Sequence, residues 1–500
     1  MKLSDAPLFF PPDASHYLAF DLGAGSCRAT LGALSDGRLS LREISRFTNR
    51  PMRVRSSIHW DVYALLAGMK DAMGTLADEG TAPDSASVDT WGVDFALLGG
   101  DGRFLVRPHC YRDPRTRGVV EEILAHIPRE RLYELTGIQP ERFNTLFQLC
   151  AFKRSQPGVL AKTASLLFMP DVFNFLLGTG KATELTIAST SQLYDPRGRC
   201  WVPELLEMVG LDPGAMQPVV QPGMMLGLVS GEAGMPLAGT PLVACASHDT
   251  ASAVAAVPAA GDDWCFISVG TWSLMGIEVP EPLVDSRCLD AGFSNEAGVA
   301  GTFRFLKNLN GLWLLSRCIQ AWDPAGGLTY SQVEREACDS ESFGPLIDPR
   351  DEMFFDPADM AAAIRTFCED TGQTPPDGAG GTARCVLESL ALLYGETLEL
   401  LRSVTGRRLC LIHLVGGGSR SPLLCSLVAD ACGVPVVAGP VEAASAGNVL
   451  IQAIAGDRVS GLAEARRISA ASFDLVEYEP SGDPRWEEAR HRFANLSRTR

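Results

Sequence analysis

Two stretches of this chain share one plan, and they stand near the starts of its two halves. YLAFDLGAGSCRATLGAL (17–34) is an apolar run ending in Asp21, a small-residue turn carrying a hydroxyl, and a second apolar run. WCFISVGTWSLMGIEV (264–279) repeats the succession, with Thr271 and Ser273 at its glycine-centred turn. Strand, glycine turn, strand predicts a hairpin. The same hairpin opening two similarly sized halves predicts a duplicated architecture with two phosphate turns presented across a cleft. The rest of the sequence alternates strand-like and helical runs, which predicts an α/β protein. At AVAAVPAAGDDWC (253–265) the composition becomes small and Pro/Gly-rich. The expected division is therefore 1–257 and 258–500.

The first turn fits neither of two common phosphate loops. A dinucleotide fingerprint needs a third glycine where Arg28 stands, and the following ATLGAL reads as a strand rather than a helix. The Gly180-Lys181 pair is followed by Ala182, so a Walker A loop fails as well. Two readings stay open for this stretch alone. It is an ordinary surface hairpin, or its bare N–H groups cradle an anion while Asp21 holds a cation bound to that anion.

Further along, TARCVLESLALLYGETLELLRSVTG predicts a helix stopped at Gly406, and LCLIHLV (409–415) a buried strand. GGGSRSPLL then opens a helix ending near Gly433, VPVVAG (434–439) is a strand, and EAASAGNVLIQAIAG is helical. Three consecutive glycines before a helix allow close backbone approach to an anion or a nucleotide edge, although a tight turn needs only one. In ASHDTASAV (246–254), Asp249 or Thr250 is expected to cap a helix beginning at Ala251, with the carboxylate able to point into a cleft. DTWGVDFALL (89–98) offers a glycine bulge beside Trp91, with Asp94 as an acceptor. YRDPRT (111–116) reads as a charged turn, and KNLNGLWLLSRC (307–318) as an amphipathic helix start with Asn308 and Asn310 as caps or ligands.

Charge narrows the partners. With 43 basic against 60 acidic residues the net charge is -17, which argues against nucleic acid and against an anionic membrane. No uncharged apolar stretch of about 18 residues reads as a span. The opening MKLSDAPLFFPPDASH carries Asp5 and lacks a long apolar core, so it reads as an irregular lead-in rather than a signal peptide. Fourteen scattered cysteines without C-x-x-C read as buried thiols of a cytoplasmic protein. The seven histidines show no zinc spacing, and no G-x-S-x-G hydrolase elbow occurs.

Taken together, FDLGAGSCR, DTWGVDFALL, YRDPRT, LFMPDVFNFLLGTG, TELTIASTSQLYDP, ASHDTASAV, SVGTWSLMG, LKNLNGLWLL and HLVGGGSRSPLL resemble, in order, the FGGY family of carbohydrate kinases within the actin-like ATPase superfamily. The resemblance runs from about residue 17 to about 460. It implies two actin-like (ribonuclease H-like) α/β domains with an interdomain cleft, and phosphoryl transfer from ATP with Mg²⁺ to a small ketose. L-rhamnulose is the expected sugar, with L-fuculose and L-xylulose as alternatives. The resemblance further implies ATP contacts at Ala24, Gly25, Ser26, Cys27, Arg28, Thr271 and Gly417, and a metal-side carboxylate at Asp21. It implies sugar contacts at Gly92, His248, Asp249, Thr250 and Asn308, with Asp249 as proton acceptor, in a monomer or homodimer. Three departures stand out. The first turn reads GAGSCR where the family pattern is nearer GASSGR, Ser316 stands where a glutamine is expected, and Val428 replaces a cysteine near Cys432. A non-catalytic sugar or nucleotide sensor would lack Asp21 or Asp249, and a chaperone-type ATPase would add a peptide-binding domain.

Overall fold

The computed structural model describes residues 13–496. Of the expected lead-in, residues 1–12 lie outside the described residues, while Ser15 and His16 already belong to the first strand. The chain forms two compact units. The first comprises Met1–Pro258, Val279–Phe305 and Ala443–Ser472, and the second Ala259–Glu278, Leu306–Glu442 and Phe473–Arg500. The compact units are therefore not continuous in sequence. The chain crosses at Pro258 and then returns twice to the first unit.

The first unit is built on a six-stranded sheet. Its strands are β1 (Ser15–Leu22), β2 (Ser26–Ser35), β3 (Arg38–Thr48), β4 (Ser85–Thr90), β5 (Met225–Leu228) and β6 (Pro241–Val243), in the order β5-β6-β4-β1-β2-β3. β1 and β2 form the expected hairpin, pairing antiparallel from Ser15↔Leu34 to Leu22↔Cys27. β1, β4 and β6 run parallel. Parallel strands covered on both faces read as nearly continuous apolar runs, and Leu18–Leu22 of β1 is buried throughout.

One cover explains this discontinuity. Helix Ala443–Ala455 lies against β1, β4 and helix Asp249–Ala255. It approaches so closely that a Cβ on Gly447 would stand 1.7 Å from the Ser252 carbonyl oxygen. A glycine is obligatory at that crossing. The same helix is tied in by polar contacts: Gln452 Nε2 donates to the Leu18 carbonyl (3.2 Å) and to Asn448 Oδ1 (2.7 Å), and Ser85 Oγ donates to Gln452 Oε1 (2.7 Å).

In the second unit, β7 (Trp264–Val269) and β8 (Trp272–Val279) form the second hairpin, antiparallel from Phe266↔Gly276 to Val269↔Ser273. With β9 (Phe303–Asn310), β10 (Leu411–Val415), β11 (Val436–Ala438) and β12 (Val476–Tyr478), the order is β9-β8-β7-β10-β11-β12, and strand Ser294–Ala297 adds a seventh at the β9 edge. β7, β10 and β11 are parallel and β12 antiparallel. In each sheet, then, a hairpin strand, a first strand, two parallel neighbours and an antiparallel edge follow one another. The repeated hairpins are the visible end of a repeated topology.

Helices close where the glycines predict. Gly406 (φ 66°) ends helix Gly378–Thr405, and Gly433 (φ 64°) ends Pro422–Cys432. Both sit in the left-handed region at a C-terminus. One expectation fails here: Lys307–Asn310 is strand, and the helix begins only at Trp313. Residues 312 and 313 are instead bound to the β7–β8 turn, donating to the carbonyls of Gly270 (3.0 Å) and Thr271 (3.2 Å). Gly311 packs so tightly on Trp272 that a Cβ would meet its carbonyl carbon at 2.6 Å.

Candidate active site

The three parallel strands of the first unit deliver three carboxylates to their C-terminal ends. Asp21 on β1 is in register with Asp89 on β4. Asp249 follows β6 as the first residue of helix Asp249–Ala255. The carboxyl ends of adjacent parallel strands are where α/β sheets bind ligands. Against these three stands Arg28, opposite Asp21 in the hairpin, with Nε 3.5 Å from Asp21 Oδ2. Burial pushes the Asp21 carboxyl up to about 6, with Arg28 opposing and Asp249 adding to the rise. Burial, then the neighbouring Asp21, pushes Asp89 well above the usual carboxylate range. Its Oδ2 accepts from Asn448 Nδ2 at 2.6 Å, while the buried Oδ1 has no hydrogen-bond partner.

Neighbouring carboxyls held back from ionising by burial, one of them with an orphaned oxygen, suit a divalent cation bound nearby that would favour their charged forms. Among the described residues no three His, Cys, Asp or Glu side chains come close enough to grip an ion directly. An ion there would keep most of its water, as Mg²⁺ usually does.

The turn beside Asp21 is anchored from behind and open in front. Asn49 Nδ2 donates to the Gly23 carbonyl (3.0 Å) and Asn49 N–H to the Gly25 carbonyl (3.4 Å). Gly23 N–H donates to the Ser26 carbonyl at 3.2 Å, and a Cβ on Gly23 would crowd that oxygen at 2.9 Å. Ala24 and Gly25 N–H make no hydrogen bond among the described residues. Two free amides at an exposed tip suit an anion. Cys27 points its thiol back at the Gly23 carbonyl (3.7 Å) and is buried, while Ser26 and Arg28 are half-buried.

Gly92, His248, Asp249 and Thr250 come together as expected, with one correction. Neither Asp249 nor Thr250 caps the helix. His248 occupies the cap position, extended at φ -81°, ψ 120°. The reason is long-range: His248 forms a parallel bridge with Thr90, and its N–H donates to Thr186 Oγ1 (3.1 Å). Glu184 holds that hydroxyl (2.5 Å) and the Ser247 N–H (3.1 Å). Asp249 is thereby released from backbone duty. Its side chain is 29% exposed, and Oδ1 accepts from Thr250 Oγ1 at 3.1 Å. Gly92 borders His248 so closely that a Cβ there would lie 3.3 Å from Nε2.

Asp94 does not offer a ligand acceptor. It is buried and receives Trp60 Nε1 (2.6 Å), Trp91 Nε1 (3.0 Å), Tyr111 N–H (3.1 Å) and Gln148 Nε2 (2.8 Å). It fixes Trp91, itself buried against Trp60. The YRDPRT turn is likewise not a solvated loop, since buried Asp113 accepts from Ile58 N–H at 2.6 Å.

The second unit carries the remaining expected contacts. Thr271 sits half-buried in the β7–β8 turn, Asn308 half-buried on β9, and Gly417 exposed after β10. The glycine run is required there twice over. Gly416 takes φ 81°, and a Cβ on Gly418 would strike Val269 Cγ1 at 2.4 Å. Asn310 is engaged elsewhere, donating to the Pro349 carbonyl. A sequence reading misses Asp89, Asn448, Glu184, Glu296 and Arg304. The one available signal was a charge inside an apolar strand, as in FRFL (303–306).

No helix among the described residues is long and apolar enough to cross a membrane. Comparison with known proteins follows the same outline. The model of the FGGY family of carbohydrate kinases matches with its N-terminal domain at residues 16–255 and its C-terminal domain at 265–456. A rhamnulokinase of Bacteroides thetaiotaomicron is 42% identical over 485 residues, 97% of this chain and 99% of that one. One from Pectobacterium atrosepticum is 39% identical over 484 residues, 96% of each. Among solved structures, a xylulose kinase from Lactobacillus acidophilus superposes with a TM-score of 0.78 at 16% identity, covering 97% and 98% of the two chains. A glycerol kinase of Plasmodium falciparum solved with ADP reaches 0.77 at 13%, with the same coverage.

Proposed function

The chain belongs to the FGGY family of carbohydrate kinases, and we propose that it transfers the γ-phosphate of ATP to the C1 hydroxyl of L-rhamnulose, giving L-rhamnulose 1-phosphate and ADP. The observation that carries this reading is the near-full-length likeness to proteins named rhamnulokinase. Asp249, freed from capping and flanked by Gly92, His248 and Thr250, is the proton acceptor. The C1 hydroxyl oxygen attacks the γ-phosphorus as its proton passes to the Asp249 carboxylate. The bond from that phosphorus to the bridging oxygen breaks, and ADP departs. Phosphoryl transfer of this kind needs positioning and charge neutralisation rather than covalent help from the protein.

The Ala24 and Gly25 amides, with Ser26, Cys27 and Arg28, take nucleotide phosphate in the first unit. Thr271 and Gly417 are the nucleotide contacts of the second, and Asn308 a sugar contact. Asp21 and Asp89 would hold Mg²⁺ through water, and the ion would supply neutralisation of phosphate charge. An ATP requirement and fourteen unpaired thiols support a cytoplasmic enzyme.

The test is ADP release with Mg²⁺-ATP across L-rhamnulose, L-fuculose, L-xylulose, L-rhamnose and glycerol. L-rhamnulose should lead many-fold, and Asp249→Asn should lose turnover by several orders of magnitude while still binding ATP. A lead for another sugar would keep the mechanism and move the specificity. No sugar-stimulated release from folded, ATP-binding protein would overturn the kinase reading in favour of a sensor.

A further inference from the structure

The backbone beside Gly92 holds a conformation that its residue types disfavour. Val93 takes φ 68°, in the left-handed region, where a β-branched side chain is a true outlier. Gly92, which would enter that region freely, is not among the residues at positive φ. Asp94 N–H closes a three-residue ring on the Gly92 carbonyl at 2.9 Å. With Val93 at positive φ in its middle, this is the rare and strained form of the γ-turn.

Strain of this kind persists only where the surroundings over-determine it. Thr145, the fully buried first residue of helix Thr145–Ser155, donates its hydroxyl to the Val93 carbonyl at 2.6 Å. Thr190, also buried, accepts the Val93 N–H on Oγ1 at 3.2 Å and donates its own proton to the Ile187 carbonyl at 2.8 Å. Both main-chain groups of Val93 are thus held by threonine hydroxyls, from positions 52 and 97 residues away. The flanks are pinned as well. Trp91 N–H donates to the Leu22 carbonyl (3.3 Å), and the Asp94 carbonyl accepts from Met169 N–H (3.1 Å). All of these residues belong to the first unit.

The turn commits the Gly92 carbonyl to its own ring and leaves the Gly92 N–H with no hydrogen bond among the described residues. Main-chain N–H groups withdrawn from water are nearly always paired, and Gly92 is half-buried. It borders His248, since a Cβ on Gly92 would lie 3.3 Å from Nε2. What the N–H lacks is an acceptor, and a ligand oxygen would supply one.

We propose that Thr145 and Thr190 are positioning residues for the sugar: they hold Val93 in its left-handed turn, and the turn keeps the Gly92 N–H bare and fixed for an oxygen of the ketose. Valine is stiff at χ1, so once the hydroxyls have set the turn it has fewer other shapes to adopt than glycine would give it. This inference rests on the sugar-side reading of Gly92.

The first measurement leaves the clamp intact. Full-length protein labelled with ¹⁵N-glycine, with Gly92 assigned by the signal lost in Gly92→Ala, is titrated without ATP. The probe is L-rhamnulose, or whichever ketose of the panel above is phosphorylated fastest. The Gly92 amide signal should move as the site fills. An active kinase whose Gly92 signal stays put at saturation overturns this inference alone, whereas a protein that phosphorylates no sugar sinks the kinase reading and the inference with it. The second measurement is steady-state kinetics. Thr145→Val and Thr190→Val each remove one hydroxyl and should raise KM for the sugar about 5- to 100-fold, the scale of one buried polar group left unsatisfied, with KM for ATP changed less than about threefold. Thr145→Ser and Thr190→Ser keep the hydroxyl and should restore most of the sugar KM. In a Val93→Gly background, where positive φ carries no steric penalty, the valine substitutions should raise the sugar KM by less than about a third of that factor. Equal rises in both KM values, serine variants as impaired as the valine ones, or an undiminished rise in the glycine background overturn the proposal. Should a valine variant fail to fold, the Gly92 signal of the wild type still decides.

Discussion

Gly447 is the position at which a single methyl group should do most damage. Gly447→Ala places a Cβ 1.7 Å from the Ser252 carbonyl oxygen and 2.5 Å from its carbon. Reaching even 3.0 Å requires the helices to part by 1.3 Å, the difference between those distances. Neither helix can yield freely. Ser252 is pinned by its own hydroxyl, which donates to the Ala246 carbonyl at 2.7 Å. On the other side, helix Ala443–Ala455 is held by the Asn448–Asp89 bond and the Gln452 contacts, and by Val449 seated against Gly32. Overpacking costs about 1–3 kcal/mol, and losing the Asn448–Asp89 bond adds about 0.5–1.5 kcal/mol. The better helix propensity of alanine returns about 1 kcal/mol. The net expectation is a loss of about 0.5–3.5 kcal/mol, read as a lower urea midpoint. Gly74→Ala is the matched control. It lies inside helix Val62–Asp78 with nothing within 4 Å of the new Cβ, so it should gain up to about 1 kcal/mol. A Gly447→Ala midpoint equal to the wild type would refute the reasoning, as would an equal loss in Gly74→Ala.

Burial drives the Glu184 carboxyl from its ordinary 4.5 up to about 7, despite the donors around it. A carboxyl raised in the folded state favours the protein at low pH, and that advantage is lost as pH rises from 4.5 through about 7. At about 1.4 kcal/mol for each factor of ten, the advantage is about 3 kcal/mol. The stability difference between wild type and Glu184→Gln should therefore shrink by about that much across the window in urea titrations; a pH-independent difference would remove the argument. Gly92→Ala crowds His248 Nε2 to 3.3 Å, so the sugar KM should rise about tenfold with the ATP KM unmoved; equal KM values would show that the crowding is absorbed. Thiol titration of the native protein should count Cys200 and Cys338 as the fast-reacting pair, and all fourteen cysteines after unfolding without reductant. A count of twelve on unfolding would reveal a disulfide.

Legibility in the sequence tracked the range of the interaction. Both hairpins could be read because alternation, apolar runs and a glycine turn lie within about twenty residues of one another. The stops at Gly406 and Gly433 were equally local, being set by the left-handed backbone at each residue. Asp249, His248 and Gly92 stand out locally, as polar or glycine positions in ASHDTASAV and DTWGVDFALL, and the structure brings them together. The cap was misread because what fixes it, the Thr90–His248 bridge, joins residues far apart in the chain. Asn448 is 359 residues from Asp89, and nothing in AGNVL announces a partner at that distance. Arg304 and Glu296 stood in plain view as charges in buried strands, yet only the fold brings their side chains together, 3.0 Å apart beside His248.

The return of helix Ala443–Ala455 to the first unit also sets a timetable for synthesis. When Pro258 has been made, the covering helix still lies 184 residues ahead (259–442). At about 5–20 residues per second, that is a wait of about 10–40 s. Throughout it, β1 and β4 lack their cover and Asp89 lacks Asn448. The nascent first unit must remain attached and incomplete while most of the second is translated. A release factor acting early, or a stop codon anywhere before residue 443, would free a chain whose first sheet has no means of closing.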